Sequence, residues 1–212
     1  MSDLTAPEQN VDASHFLKCL ATRRSIRRYQ SRTVSREMIH RLLRAAAWAP
    51  SAQNRQPWRF AVLEGARAKD ELASAMGSRL RRDLQADGAP QEVIEKDVSR
   101  SYARITGAPV VILVCLTMAD MDTYPDEARQ RNEWLMAVQS TAMAGQNLLL
   151  AAHAMGLGAC WMCAPLFCPG VVRDTLDLPQ EWQPQGLVTL GYPAETREKT
   201  RHPLSSRVRF IG

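Results

Sequence analysis

The segment from Pro109 to Leu116, which reads Pro-Val-Val-Ile-Leu-Val-Cys-Leu, constrains the fold more than any other part of this chain. A short, unbroken apolar run of this kind is typical of a strand that is buried on both faces. Such a strand needs apolar neighbours on either side of its sheet. The chain is therefore expected to fold around a central sheet that is surrounded by helices.

Helical and strand patterns occur in mixed order along the rest of the chain. Helices are predicted over residues 14–22, 36–49, 66–76, 91–105, 124–153 and 171–176, and strands over 59–63, 109–116, 159–162 and 187–190. The alanines, leucines and methionines of 124–153 predict a central helix that is buried nearly all round. Because few of these elements form parallel crossover units, we predict an α+β fold.

The composition predicts one globular domain, residues 14–212, after a mobile N-terminal tail, residues 1–13. The 212 residues are 45% hydrophobic and 23% charged, with five cysteines, which is typical of a globular protein. No apolar run reaches the roughly 18 residues that span a bilayer, and the polar start Met1–Asn10 does not resemble a signal peptide. We therefore expect no membrane partner, a cytoplasmic location and reduced thiols.

The formal net charge of +5 and the arginines between residues 23 and 44 favour an anionic ligand. One alternative is a basic nucleic-acid-binding module. No helix-turn-helix pattern is convincing, and no aromatic residues are interleaved with the basic ones as in proteins that bind single strands. An anionic cofactor with anionic substrates is the simpler interpretation, with Arg41 and Arg44 on the solvated face of a helix.

Two polar motifs form the candidate site. Arg23-Arg24-Ser25-Ile26-Arg27 offers guanidiniums and a hydroxyl that could bind a phosphate and a ring carbonyl. The same cations could instead only balance the negative end of a helix dipole. The second motif is the loop from Pro50 to Trp58, which could instead be a structured turn. Trp48 and Trp58 are predicted to be core or interface aromatics.

Together, the Arg-Arg-Ser-Ile-Arg start and the Pro-Ser-Ala-Gln-Asn-Arg-Gln-Pro-Trp loop resemble the nitroreductase family of FMN enzymes, which carries both motifs in this order. The resemblance implies a nitroreductase-like fold with a mostly antiparallel sheet and a domain-swapped-style homodimer. It also implies FMN sites at the dimer interface. NAD(P)H would reduce the FMN, and a nitro, quinone, enone or related small molecule would accept the hydride.

The resemblance implies cofactor-binding roles for matching residues and neither a catalytic side chain nor a metal. Arg23 and Ser25 match residues that bind the ribityl phosphate, Arg27 matches one at the N1 and O2 edge of the flavin ring, and Arg24 would add a backbone contact. Loop residues would touch the flavin of the other subunit: Pro50, Ser51, Ala52 and Asn54.

Two further pairs match flavin-binding positions of the family. Cys163 and Ala164, where many members have Glu-Gly, would pass beside flavin N5. Lys199 and Arg201 would close over the phosphate. An Asn and a Lys that contact the pyrimidine ring in several members have no clear match, and the candidates by location are Ser78, Arg79 and Arg82.

The Cys160-x-x-Cys163 spacing has two further interpretations, a zinc site or a redox disulfide. A zinc site needs a second pair of ligands at suitable spacing, and no histidine offers one nearby. A thioredoxin-like pair should precede a helix, whereas this pair straddles Trp161 in a strand-like segment. Both uses are therefore disfavoured.

Within the family, the chain is most similar to the C-terminal flavin domain of the bifunctional enzyme of deazaflavin coenzyme biosynthesis. The similar segments are Asp83–Gly88, Tyr124–Arg129 and Leu157–Pro184. In that domain reduced FMN is thought to reduce a dehydro precursor of the coenzyme. This resemblance implies such a precursor as an alternative acceptor.

Overall fold

The computed structural model describes residues 12–212. The helices are α1 (Ala13–Thr22), α2 (Arg36–Ala47), α3 (Ala66–Ala86), α4 (Gln91–Thr106), α5 (Glu127–Ala154) and α6 (Pro169–Leu176). The strands are β1 (Trp58–Leu63), β2 (Val110–Leu116), β3 (Gly158–Met162) and β4 (Gln183–Gly191). Short 3₁₀ turns cover Ala52–Asn54, Ala164–Phe167 and Leu204–Ser206.

The predicted N-terminal tail, residues 1–13, lies outside the described residues except for its last two positions. There the prediction is wrong, because α1 begins at Ala13. The Asp12 carboxylate accepts hydrogen bonds from the backbone N–H groups of Ser14 and His15. It thereby satisfies two donors of the first helical turn that have no partner within the helix.

The strands form one sheet in the order β1-β2-β4-β3, and each neighbouring pair is antiparallel. The predicted α+β fold with a mostly antiparallel sheet is thus confirmed. β2 lies between two strands and every residue of it is buried, as its unbroken apolar sequence predicts. A register shift between Val114 and Cys115 marks a bulge opposite the polar start of β4.

The core has two halves, one on each face of the sheet. Val110, Ile112 and Val114 pack with α2 and α5 on one face. Val111, Leu113 and Cys115 pack with α3, α4 and α6 on the other. Because side chains alternate along a strand, the single apolar run of β2 supplies both halves.

Two boundaries differ from the prediction more than the others do. α3 continues to Ala86 instead of ending at Met76, because Gly77 lies where α3 packs against α4. A Cβ built on Gly77 would lie 3.4 Å from Val98 Cγ1. β4 begins at Gln183 instead of residue 187, since its polar first residues pair with the end of β2.

α5 is only partly buried, so the prediction of a helix buried nearly all round is wrong for the isolated chain. Leu135, Gln139, Met143 and Gln146 are exposed and recur at helical spacing along one stripe. The opposite side, with Ala137, packs into the core. Neither α5 nor any other helix described between residues 12 and 212 is long and apolar enough to cross a membrane.

Candidate functional site

A cavity of about 310 Å³ opens between α4, the end of β3 and the 3₁₀ turn that follows β3. Three predicted site residues, Arg27, Cys163 and Ala164, line it together. The other residues that line the cavity come from three elements: Leu80, Asp97, Arg100, Ser101, Arg104, Trp161 and Met162. Residues that are far apart in sequence therefore meet at one site.

The strand-like path of residues 23–27 along the free edge of β3 brings Arg27 to this cavity. Ser25 forms a parallel bridge with Ala159, and the Ile26 N–H donates to the Ala159 carbonyl at 3.0 Å. A Cβ on Gly158 would overlap the Ile26 side chain, so this close approach requires glycine. The Arg27 N–H donates to Glu195 Oε1 at 2.8 Å, which fixes the end of the path.

Positive charge dominates the cavity. Arg100 pairs with Asp97 at 2.5 Å, whereas the guanidiniums of Arg27 and Arg104 have no hydrogen-bond or ion-pair partner among residues 12–212. Burial, followed by repulsion from Arg27, lowers the pKa of the Arg104 guanidinium. Two unpaired guanidiniums in a partly buried site suit a ligand that is electron-rich or anionic.

The turn after β3 forms the opposite wall and is held by Trp161. The Trp161 ring occupies a slot between α5 and β4, where a Cβ on Gly145 would lie 2.5 Å from Cζ3 and a Cβ on Gly186 would also overlap the ring. Trp161 Nε1 donates to Cys163 Sγ at 3.1 Å. Neither the Cys163 nor the Ala164 backbone N–H donates to a described residue, so both remain available to a ligand.

Ser101 and Arg104 were missed by the sequence analysis, although both line the cavity with Arg27. None of the three candidates chosen by location lines the cavity itself. Ser78 Oγ donates to the Ser74 carbonyl at 2.9 Å, and Arg79, which pairs with Asp83 at 2.8 Å, lines a neighbouring pocket together with Ser101 and Ala164. Ser101 and Arg104 are three residues apart in α4, which places them on one face of the helix. This spacing was the sequence signal that could have identified them together.

Arg23, Arg24 and Ser25 follow α1, at the edge of the sheet. Arg24 donates to the carbonyls of Ala21 at 2.7 Å and Arg23 at 2.9 Å. The Arg24 side chain therefore balances the helix C-terminus, as the dipole alternative predicted. Arg23 is half-buried and near His153, whose pKa is lowered by burial and then by Arg23 and Arg24.

Lys199 and Arg201 lie on the exposed C-terminal segment after β4. The start of this segment is held by Glu195, which binds the Arg27 N–H and pairs with Arg197 at 2.7 Å. Among residues 12–212, the one hydrogen bond that the Arg201 side chain donates is to the neighbouring Thr200 carbonyl, at 3.2 Å. The structure therefore ties the start of this segment to Arg27.

The loop from Pro50 to Trp58 has a strained backbone. Gln53, Asn54 and Gln56 have φ values of 49°, 57° and 50°, and such left-handed conformations cost on the order of 1 to 3 kcal/mol each in non-glycine residues. Strain of this kind clusters at functional sites. The Gln56 N–H donates to Ser51 Oγ at 3.0 Å, and Pro50 and Asn54 are exposed.

The two tryptophans that flank this loop differ in their surroundings. Trp58 is buried against Ala49 and Ala144, which confirms its predicted place in the core. Trp48 is 68% exposed at the end of α2. Of the two predicted places, core or interface, Trp48 therefore does not lie in the core, and its place at an interface stays a prediction.

The Cys160-x-x-Cys163 pair is split between two environments. Cys160 is buried, and burial raises the pKa of its thiol, whereas Cys163 is exposed at the cavity. No group of three or more His, Cys, Asp or Glu side chains within the described residues could hold a metal ion.

Comparisons with known proteins identify the family of this chain. The model of the nitroreductase family matches residues 20–192, which include the cavity and the strained loop. A protein of Methanothermobacter thermautotrophicus named "Putative NADH dehydrogenase/NAD(P)H nitroreductase" is 33% identical over 189 residues, which cover 87% of this chain and 81% of that protein. An "NADH dehydrogenase" of Thermus thermophilus is 30% identical, covering 82% and 84%.

A solved structure is also similar. The crystal structure of a "putative nitroreductase" from Desulfovibrio desulfuricans in complex with FMN superposes with a TM-score of 0.71 at 29% identity. The superposition covers 93% of this chain and 96% of that one. The family match spans most of the chain and contains both polar motifs, and the fold agrees with that of a solved relative. The chain therefore belongs to the nitroreductase family.

Proposed function

We propose that the protein is an FMN-dependent oxidoreductase that takes a hydride from NAD(P)H and passes it to a nitro, quinone, enone or related small-molecule acceptor. The observation that carries this proposal is the pair of unpaired guanidiniums, Arg27 and Arg104, opposite the turn at Cys163 and Ala164. FMN in the similar structure from Desulfovibrio desulfuricans and NAD(P)H in the name of the Methanothermobacter protein support it.

The residues of the cavity fit a flavin. Arg27 and Arg104 would place positive charge at the electron-rich pyrimidine edge, where Ser101 offers a hydroxyl. The free backbone N–H of Ala164 would donate a hydrogen bond beside flavin N5. When bound, FMN supplies the hydride chemistry at N5, while the protein contributes position and electrostatics.

The phosphate would be bound at the other end of the site. Arg23 and Ser25 lie on the same strand-like path as Arg27, so they would bind the ribityl phosphate while Arg27 binds the ring. Lys199 and Arg201 would close over the phosphate from the C-terminal segment. Arg24 would add a backbone contact, as the resemblance implies, while its side chain holds the end of α1.

We also propose a domain-swapped-style homodimer in which Pro50, Ser51, Ala52 and Asn54 touch the partner's flavin. The exposed stripe of α5 supports a partner because a largely apolar helix is normally covered. Near the C-terminus, Phe210 and Ile211 are 94% and 88% exposed. These side chains would pack on a second copy of the chain.

The dimer is tested by mixing two variants, Arg23→Ala and Asn54→Ala, each of which should weaken FMN binding. If the loop serves the partner's flavin, a purified heterodimer has one intact site and one site that carries both changes. We expect half occupancy at an FMN concentration that leaves both variant homodimers empty. Two equally weakened sites, or a monomer that retains FMN at micromolar concentration, would contradict the proposal.

The acceptor is tested by steady-state rates of the FMN-loaded protein with NADH and NADPH across nitroarenes, quinones, enones and deazaflavin precursors. The name of the Methanothermobacter protein, which includes NAD(P)H nitroreductase, favours nitro acceptors. The resemblance to the deazaflavin enzyme keeps a dehydro precursor of that coenzyme as the alternative. A rate with the precursor that greatly exceeds the others would select this alternative.

A further inference from the structure

We propose that Arg55, Asp122 and Glu133 position the strained loop, and we call these three residues the loop clamp. The inference rests on the proposed function, because the loop would touch the flavin through Pro50, Ser51, Ala52 and Asn54. The clamp would hold these residues in their flavin-binding conformation without touching the flavin itself.

The loop needs an external restraint because its conformation is intrinsically unfavourable. Gln53, Asn54 and Gln56 all have positive φ, which side chains other than glycine rarely adopt. Hydrogen bonds within the loop, such as Gln56 Nε2 to Asn54 Oδ1 at 3.2 Å, hold its shape locally. They do not fix the loop against the rest of the protein.

Arg55 makes the connection to the rest of the protein. Its Nη2 donates both to Gln53 Oε1 at 3.2 Å and to Asp122 Oδ1. Gln53 is itself a positive-φ residue, whereas Asp122 belongs to the segment between β2 and α5. One guanidinium nitrogen thus ties the strained backbone to a different part of the fold.

Glu133 fixes the position of Asp122. It lies on α5 and is 1% exposed, and its Oε1 accepts the Asp122 N–H at 3.1 Å. Its Oε2 and the Arg55 Nε are buried without a hydrogen-bond partner among the residues described. A buried charged group with an unpaired atom lowers the free energy of unfolding. The cluster is therefore better explained by its positioning of the loop than by a contribution to the stability of the fold.

A second contact from α5 reaches the loop directly. Ser140 Oγ accepts the Ala52 N–H at 3.3 Å and donates to the Met136 carbonyl at 2.7 Å. Glu133 and Ser140 lie seven residues apart, on the same face of α5. The long helix α5 therefore holds the strained segment at two points. Ser140 binds it at Ala52, and Glu133 reaches it at Arg55 through Asp122.

The experiment compares release of FMN from holoenzyme variants after dilution into FMN-free buffer. We expect Asp122→Ala to release FMN about tenfold faster than the wild type, because a charge-assisted hydrogen bond is lost and the loop relaxes. Glu133→Gln retains the Oε1 acceptor and should behave like the wild type, whereas Glu133→Ala should release FMN faster. The thermal midpoint of each flavin-free variant shows whether the fold is intact.

Glu95→Ala is the matched control. Glu95 forms an ion pair with Arg81 between α4 and α3, so this variant removes a similar charge pair that does not touch the strained residues. We expect wild-type release. If Asp122→Ala fails to fold, Arg55→Lys keeps the charge but removes the Nη2 atom that donates to both Gln53 and Asp122, and should also release FMN faster.

The outcomes separate the two proposals. A wild-type protein that binds no FMN overturns the proposed function. A wild type that binds FMN overturns the loop clamp if Asp122→Ala, Arg55→Lys and Glu95→Ala all release it at the wild-type rate. Faster release that is matched by Glu95→Ala also overturns it, because the effect would then not depend on contact with the loop.

Discussion

Replacing Arg27 with glutamine is expected to lower the midpoint potential of bound FMN by about 20 to 60 mV. The reduced cofactor is an anion at N1 and O2, so a guanidinium there stabilises it more than the oxidised form. A charge-assisted hydrogen bond contributes roughly 1 to 3 kcal/mol, and about 1.4 kcal/mol corresponds to about 30 mV for a two-electron couple. Reduction by NAD(P)H should slow accordingly, and spectroelectrochemistry of the holoenzyme measures the shift.

Two matched variants give this prediction its controls. Arg104→Gln should lower the potential in the same direction, because Arg104 faces the same cavity. Arg23→Gln should weaken FMN binding in both redox states with little change in potential, since it would contact the phosphate. If Arg27→Gln holoenzyme keeps the wild-type potential, Arg27 does not lie at the ring edge.

Gly186→Ala is expected to lower the free energy of unfolding by about 1 to 3 kcal/mol, the usual cost of overfilling a packed core. The new Cβ would lie 2.5 Å from Trp161 Cε2. Gly186 pairs with Val114 of β2, and the next residue, Leu187, is paired with both β2 and β3, so we expect the indole to shift instead of the backbone. Its hydrogen bond to Cys163 would be lost, which should also weaken FMN binding. Urea unfolding measures the first effect.

Gly170→Ala in α6 is the control for this substitution. A Cβ there meets no heavy atom within 4 Å, and alanine favours a helix by about 0.5 to 1 kcal/mol over glycine. We therefore expect unchanged or slightly higher stability. Equal destabilisation by the two alanines would show that the slot around Trp161 is not tightly packed.

The sequence was most informative where local physics decides the structure. β2 was predicted from its apolar run, and α2 begins after Ser35, a residue type that favours helix N-caps and here accepts the Met38 N–H. Both features depend on residues that are close in sequence. The sheet order, by contrast, depends on pairing between β2 and β4, which are separated by the whole of α5.

The candidate site was predictable only in part for the same reason. Arg27 and Cys163 matched motifs, but Arg104 lies in no motif and joins them only because α4 packs beside β3. The exposed stripe of α5 was also not predictable. Composition shows that the helix is rich in apolar residues, but it does not show which side of the helix is buried by other elements of the same chain. The strain at Gln53 is likewise set by tertiary contacts, because glutamine does not favour positive φ.

The central claim is most directly tested by titrating the purified, flavin-stripped protein with FMN and then adding NADH or NADPH without oxygen. We predict that one FMN binds per chain and that the nicotinamide bleaches the flavin absorption. Because Lys199 and Arg201 would close over the phosphate, FAD should bind less tightly. A protein that leaves the spectrum of added FMN unchanged, or binds flavin that neither nicotinamide reduces, would contradict the account.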